Sequence, residues 1–180
     1  IWWIQDGGLR GRVTGTCCGS PTGDWWCPIV SLRGVRIALA AALAMEAELQ
    51  SVDIESAYLQ CNFQMAGVPE HYMFLGEDIV QFLAPEARAK VKGMVRPVCP
   101  MRKAVYGHPA AGYILVSRLL EVLREGDYIS DEGEPAVLRN PEGDVVMCVY
   151  VDDVLATGPK EKLKALWKTV NKAFRMDPAT

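Results

Sequence analysis

The stretch VVMCVYVDDVLATG, Val145 to Gly158, constrains the fold more than any other part of the chain. Val145 to Tyr150 are apolar and mostly β-branched or aromatic, Asp152 and Asp153 stand side by side after Val151, and Val154 to Ala156 lead on to Thr157 and Gly158. The pattern predicts strand, acidic tip, strand. Adjacent like charges repel, and a two-residue hairpin turn favours Asn-Gly or Asp-Gly, so folding alone gives no reason for the pair. Two readings stand at this point: the acids make a polar turn, or their hard oxygens hold a divalent cation such as Mg²⁺.

A chain of 180 residues that is 50% apolar fits one globular domain with a real core. It opens on Ile1 and closes on Thr180, which reads as a piece of a longer product. No uncharged apolar run reaches the roughly 18 residues of a membrane span, and no signal peptide is recognisable, so an intracellular protein without a membrane partner is expected. Cysteines at 17, 18, 27, 61, 99 and 148 lack CxxC spacing and have only His71 and His108 as imidazole partners. Free thiols in a reducing compartment are the better reading than a zinc site. A net charge of −3 argues against a wholesale polyanion binder, yet Arg88, Lys90, Lys92, Arg96, Arg102 and Lys103 form a cationic run without an acid. That run is either a solvated surface or a set of phosphate contacts.

Residues 1–28 hold Trp2, Trp3, Trp25, Trp26 and the Cys17-Cys18 pair without periodicity, and predict loop or irregular strand. Ser31 caps a helix of about four turns rich in Ala, Leu and Met from Val35 to Leu49. Leu49 to Leu59 then predicts a short strand whose exit carries Asp53, an acid that is either on a solvent face or deliberately positioned. Weak strand at Tyr72 to Leu75 and a short helix at Pro85 to Lys92 follow. A helix over about 109–125 is stopped by Gly126, with Ile114, Leu115, Leu119, Val122 and Leu123 apolar. Ala136 to Arg139 predicts a strand and Asn140 to Gly143 a turn. Beyond the hairpin, Pro159 opens an amphipathic helix with Leu163, Leu166, Trp167, Val170 and Phe174 on one stripe.

The order strand, helix, strand, acidic turn, strand, helix implies a crossover that leaves the Asp53 strand and the Val145–Tyr150 strand parallel, with their exits at one edge of the sheet. Three acids from distant segments then meet where no core needs them. Carboxylates that hold two metal ions are the usual solution to phosphoryl transfer, and the arrangement suits a polymerase palm.

Tyr150-Val151-Asp152-Asp153 matches the YxDD signature of reverse transcriptases. PIVSLRGVRIALAAALA, VDIESAYLQ and PVCPMRKAVYGHPAAG agree in order and spacing with further blocks, so that Pro28 to Asp177 resembles the copia-type (Pseudoviridae-like) retrotransposon reverse transcriptase. The resemblance implies an α+β fold: a polymerase palm with a ferredoxin-like sheet and packed helices over residues 29–177, partial fingers and no thumb, with residues 1–28 as a fingers remnant. It implies RNA-directed DNA polymerase activity on an RNA or DNA template with primer and dNTP, with two Mg²⁺ (or Mn²⁺). Integrase and RNase H are the expected companions in the polyprotein. Carried over by position, Asp53, Asp152 and Asp153 are the catalytic, metal-binding acids. Tyr58 is the aromatic gate against the sugar, with a core aromatic as the alternative. Tyr150 and Val151 touch the primer end and sugar, or are ordinary strand residues, while Arg102, Lys103, Tyr106 and Gly107 are nucleic-acid contacts. Where many members read YGLKQAP, this chain reads YGHPAAG, without the Gln that touches template or nucleotide. Arg10 and Arg12 are the remaining basic candidates for the triphosphate. The competing reading is a decayed, non-catalytic remnant that binds nucleic acid or is merely structural.

Overall fold

The computed structural model describes residues 25–64 and 70–180 and, upstream, the backbone of two short strands, Trp2–Gln5 (β1) and Gly8–Gly11 (β2), paired antiparallel. The rest of the expected N-terminal loop, with Cys17, Cys18 and Arg12, lies outside the described residues, as does the side chain of Arg10. The fold is a mixture of helices and antiparallel sheets, α+β as expected.

The first long helix, α1 (Leu32–Ala44), starts where Ser31 predicts: its Oγ accepts the Gly34 N–H at 3.2 Å, which satisfies one of the orphan donors of the first turn. The helix stops at Ala44 rather than at Leu49. Glu46 turns the chain at φ 49°, and strand β3 (Glu48–Asp53) begins because these residues find a ladder partner that outweighs a weak helix propensity. The strand is shorter than Leu49–Leu59 and ends on Asp53. Ser56 then takes a left-handed conformation and a single turn, α2 (Ala57–Gln60), follows.

Next come β4 (Tyr72–Phe74), α3 (Glu77–Val80), α4 (Pro85–Val91) and β5 (Val98–Pro100), with β4 and β5 paired antiparallel and Arg88, Lys90, Lys92 and Arg96 of the cationic run between them in the chain. Helix α5 (Ala111–Glu125) starts two residues later than Pro109, since the chain first makes a turn in which the Ala111 N–H donates to the His108 carbonyl. Its predicted apolar residues are all buried. Strands β6 (Ile129–Ser130), β7 (Val137–Arg139), β8 (Val146–Tyr150) and β9 (Asp153–Gly158) and helix α6 (Lys160–Ala173) complete the order. No helix among the described residues is long and apolar enough to cross a membrane. Cys27, Cys61, Cys99 and Cys148 are free thiols.

The main sheet runs β3-β9-β8-β7-β6 with every neighbour antiparallel. Strands β3 and β8 are therefore parallel, as expected, with β9 between them. Alternation along the strands divides the helices between the two faces. Cys148 donates to the Gly34 carbonyl, and a Cβ on Gly34 would collide with Val30 and Val137, so α1 lies tightly on the Cys148 face. On the opposite row, Trp167 of α6 donates its Nε1–H to Gln50 Oε1 at 2.7 Å, and Gln50 pairs with Ala156. The predicted stripe of α6 is buried against this face.

The outer edge of β3 is closed by the C-terminal residues. Ser51 and Thr180 exchange backbone hydrogen bonds, the Asp177 N–H donates to the Asp53 carbonyl at 3.0 Å, and the Glu55 N–H donates to the Arg175 carbonyl at 3.1 Å. Pairing of this kind protects a strand edge. Gln60 pins it: its Oε1 accepts the Arg175 N–H at 2.7 Å, and its Nε2 donates to the carbonyls of Glu55 and Arg175. Gln60→Ala is expected to cost about 1 kcal/mol and to speed amide exchange at Asp177 and Thr180 while leaving β8 protected. Unchanged exchange at both amides would show that the tail holds without Gln60.

A second tie joins the β4 region to the start of α5. His71 Nδ1 and His108 Nε2 lie 2.8 Å apart, and the Ala110 N–H donates to His108 Nδ1 at 3.1 Å. Nδ1 of His108 is thus an acceptor, its proton sits on Nε2, and that N–H donates to His71. Phe63 packs against both rings. Burial, and then His71, pulls the His108 pKa below its ordinary value. In the unfolded chain the ring takes up its proton near pH 6.5, whereas the folded ring takes it up less readily. The unfolded state therefore binds more protons, and stability falls as pH drops below that point. The melting temperature is expected to decline as pH falls through about 6.5, and His108→Leu should remove most of that slope. A variant that keeps the full slope would place its origin elsewhere.

Candidate active site

Register sets the hairpin tip. Tyr150 pairs with Asp153, so Val151 and Asp152 form the two-residue turn and Asp153 is the first residue of β9. The predicted acidic tip is thus divided, with one acid in the turn and one in the ladder. Val151 adopts φ 57°, a left-handed conformation that is unusual for a β-branched residue and costs of order 1–3 kcal/mol. Its side chain is half-buried against the core. A Gly or Asn would meet the same turn without strain, so the valine is kept at a conformational cost immediately before the acid.

Strand β3 brings in the third acid. Asp53 stands directly opposite Asp153 in the ladder, and the Ile54 N–H donates to the Asp152 carbonyl at 3.0 Å. Like charges placed opposite one another destabilise a sheet. Burial, followed by the charges of Asp152, Asp153, Asp177 and Glu55, holds the Asp53 carboxyl above the usual carboxylate range. Among the described residues no Lys or Arg forms an ion pair with Asp53, Asp152 or Asp153. The donor set is all hard oxygen and its charge is uncompensated, which fits a divalent cation such as Mg²⁺. The side chains are not gathered into a closed cage: among the described residues no three His, Cys, Asp or Glu stand close enough together to hold a metal ion. Asp177 and Glu55 add to the acidic field at Asp53. Asp177 reaches Asp53 only through the tail pairing, and a lone acid near the chain end carries no signal of that.

Two aromatic rings border the acids. Tyr58 on α2 and Tyr106 in the loop before α5 meet edge to face, with centroids 4.7 Å apart and planes at 68°. Burial and then the Asp152 charge raise the pKa of both phenols; Asp53 adds to the effect on Tyr106, and Tyr106 and Cys27 add to that on Tyr58. Tyr150, on the hairpin, is 53% exposed.

The block from Arg102 to Gly107 runs beside the exit of α2. The Arg102 carbonyl accepts the Phe63 N–H, Lys103 bridges Asn62 and donates its Nζ to the Gln60 carbonyl at 3.3 Å, and Gly107 turns the chain at φ 88°. Asp53, Asp152, Asp153, Tyr58 and Tyr106 are therefore brought to one locality, with Tyr150 and Val151 on the adjoining hairpin. Arg102 and Lys103 join it only by way of α2, and their side chains form no ion pair with its acids among the described residues.

The family model described as Reverse transcriptase (RNA-dependent DNA polymerase) matches residues 18–179. Over 153 residues the chain is 25% identical to the retrovirus-related Pol polyprotein from transposon TNT 1-94 of Nicotiana tabacum, a match that covers 83% of this chain and 10% of that protein. The retrovirus-related Pol polyproteins from transposons RE2 and RE1 of Arabidopsis thaliana are 29% and 28% identical, each over 134 residues, which is 73% of this chain and 8% of theirs. The chain thus spans a tenth or less of the length of these relatives. No solved structure matches it.

Proposed function

The chain belongs to the reverse transcriptase (RNA-dependent DNA polymerase) family, and from that premise we propose that it is the palm and part of the fingers of a copia-type transposon polymerase. In this reading residues 29–177 are the catalytic palm and fingers and residues 1–28 a remnant of the fingers. The reaction is transfer of a nucleotidyl group from dNTP to a primer 3′-hydroxyl on an RNA or DNA template, inside the cell and within a polyprotein that also carries integrase and RNase H. One observation carries the reading: Asp53 faces Asp153 across the ladder while Asp152 occupies the adjoining turn, three acids with no cationic partner among the described residues.

Asp53 and Asp152 would be the principal ligands of two Mg²⁺, with Asp153 beside them, and Mn²⁺ would suit the same oxygens. The chemistry supplied by metal held there would be a lowered pKa for the attacking hydroxyl and neutralisation of charge on the departing pyrophosphate. The chain's own groups do the positioning. Strained Val151 and exposed Tyr150 present the hairpin tip to the primer end and the sugar. The ring of Tyr58 fills the space of a 2′-hydroxyl and so favours deoxynucleotides. Arg102 and Lys103, at the end of the cationic run, hold template or primer phosphates, which makes binding steeply salt-dependent.

A second reading, a non-catalytic remnant, is favoured by the lack of a closed three-carboxylate group among the described residues. The test is dNTP incorporation on a primed RNA template by the protein extended past Thr180 to polymerase length. Template-directed product supports the polymerase. A folded protein that makes none with Mg²⁺ or Mn²⁺ supports the remnant.

A further inference from the structure

We infer that Tyr106 determines sugar selectivity by holding the ring of Tyr58 in its excluding position. The inference rests on the polymerase reading and on Tyr58 as the gate, and it gives Tyr106 a positioning role beyond nucleic-acid contact. Tyr58 sits on an element with little stability of its own. Helix α2 is one turn, from Ala57 to Gln60, and its N-cap Ser56 is left-handed at φ 49° and makes no capping hydrogen bond. An isolated turn of this length does not persist in water, so its geometry is imposed by what it packs against. The Tyr58 ring is only half-buried, so the core does not fix its rotamer by enclosure.

Tyr106 is held from both sides. Ala104 is fully buried, and its N–H donates to the Cys61 carbonyl at 3.1 Å. The His108 N–H donates to the Val105 carbonyl at 3.2 Å, His108 is buried, and its ring is tied to Ala110 and His71. Gly107 supplies the left-handed turn at φ 88° that brings Tyr106 between these anchors. The ring carried by the anchored loop therefore supports the ring carried by the single turn. Their edge-to-face contact at 4.7 Å is the arrangement the ring quadrupoles favour. Both phenols feel the Asp152 charge, so the supported ring stands at the acids rather than away from them.

A double-mutant cycle on the extended polymerase tests this, with kcat/KM for a dNTP against the matching rNTP as the readout. Tyr106→Ala is expected to lose about tenfold or more of the wild-type discrimination, through a lower KM for the ribonucleotide. Tyr106→Phe, which keeps the ring and drops the hydroxyl, should retain wild-type discrimination. Tyr58→Ala combined with Tyr106→Ala should be no less selective than Tyr58→Ala alone, because a support has no effect once the gate is gone. If Tyr106→Ala fails to fold, Tyr106→Leu fills part of the volume without the ring edge and is read by the same ratio. Three results overturn the inference while the polymerase reading stands: wild-type discrimination in Tyr106→Ala or Tyr106→Leu, a Tyr106→Phe variant as unselective as Tyr106→Ala, or losses that add in the double variant. An extended wild type that folds and makes no product overturns the polymerase reading and this inference with it.

Discussion

Asp152→Asn, in the protein extended to polymerase length, is expected to lower primer extension at least about 1000-fold with either Mg²⁺ or Mn²⁺ and to leave the melting temperature unchanged or slightly higher. The two halves of this result have separate causes. Charge develops on the phosphoryl oxygens and leaving group in the transition state, and a principal carboxylate ligand is needed to keep the compensating cations in place. The fold asks nothing of that charge. What β3 uses is the Asp152 backbone carbonyl, which accepts the Ile54 N–H and is the same in asparagine. Asparagine also suits the turn. Removing the charge takes away one of the repulsions that raise the Asp53 carboxyl, so the metal-free protein loses an unfavourable term. Incorporation of dNTP on an RNA template, measured beside a thermal melt of each protein, checks both halves. A variant that keeps its activity ends the assignment of Asp152 as a ligand. Equal inactivity of two folded proteins, wild type and variant, selects the non-catalytic remnant.

The parts of this fold that were legible in the sequence are those whose local and long-range preferences agree. The β8/β9 hairpin shows as two apolar runs around an acidic tip, Ser31 as a cap, and α6 as a stripe at helical spacing; each is found where the pattern puts it. The shared sheet end of Asp53 and the hairpin tip also follows from connection rules, since β3 and β8 run in the same direction. What was not legible depends on partners. Helix α2 is a single turn that cannot stand alone, and β6 is two residues that are strand only because β7 lies alongside. Residues 175–180 carry no strand pattern and pair with β3 because its edge is otherwise open, which is how Asp177 arrives beside Asp53. The division of the acidic pair between turn and ladder was hidden for a related reason. A shift of one residue in the hairpin exchanges the faces of every side chain after it, and packing on both faces, of Val149, Val154 and Ala156 on one and of Cys148 and Thr157 on the other, selects the register.

Tyr58→Ala, in the same extended protein, is expected to lose most of the preference for dNTP over rNTP, a change of roughly 100-fold in the ratio of their kcat/KM values. That figure is what steric refusal of one hydroxyl group provides when no hydrogen bond reads it. The side chain at this position is an aromatic ring, half-buried on α2, in edge-to-face contact with Tyr106 and within the field of the Asp152 charge. Truncation to alanine opens the volume of the ring beside the acids while removing no carboxylate, so deoxynucleotide incorporation persists and the gain falls on the ribonucleotide. The bland alternative makes Tyr58 a packing residue: it touches the core, and deletion of a packed aromatic disturbs whatever the core supports. The two accounts separate in a single assay. A gate changes the ratio of the two substrates, whereas a packing residue lowers both together and leaves the ratio where it was. Parallel loss of dNTP and rNTP incorporation, with a lowered melting temperature, assigns Tyr58 to the core and leaves sugar selection to another side chain.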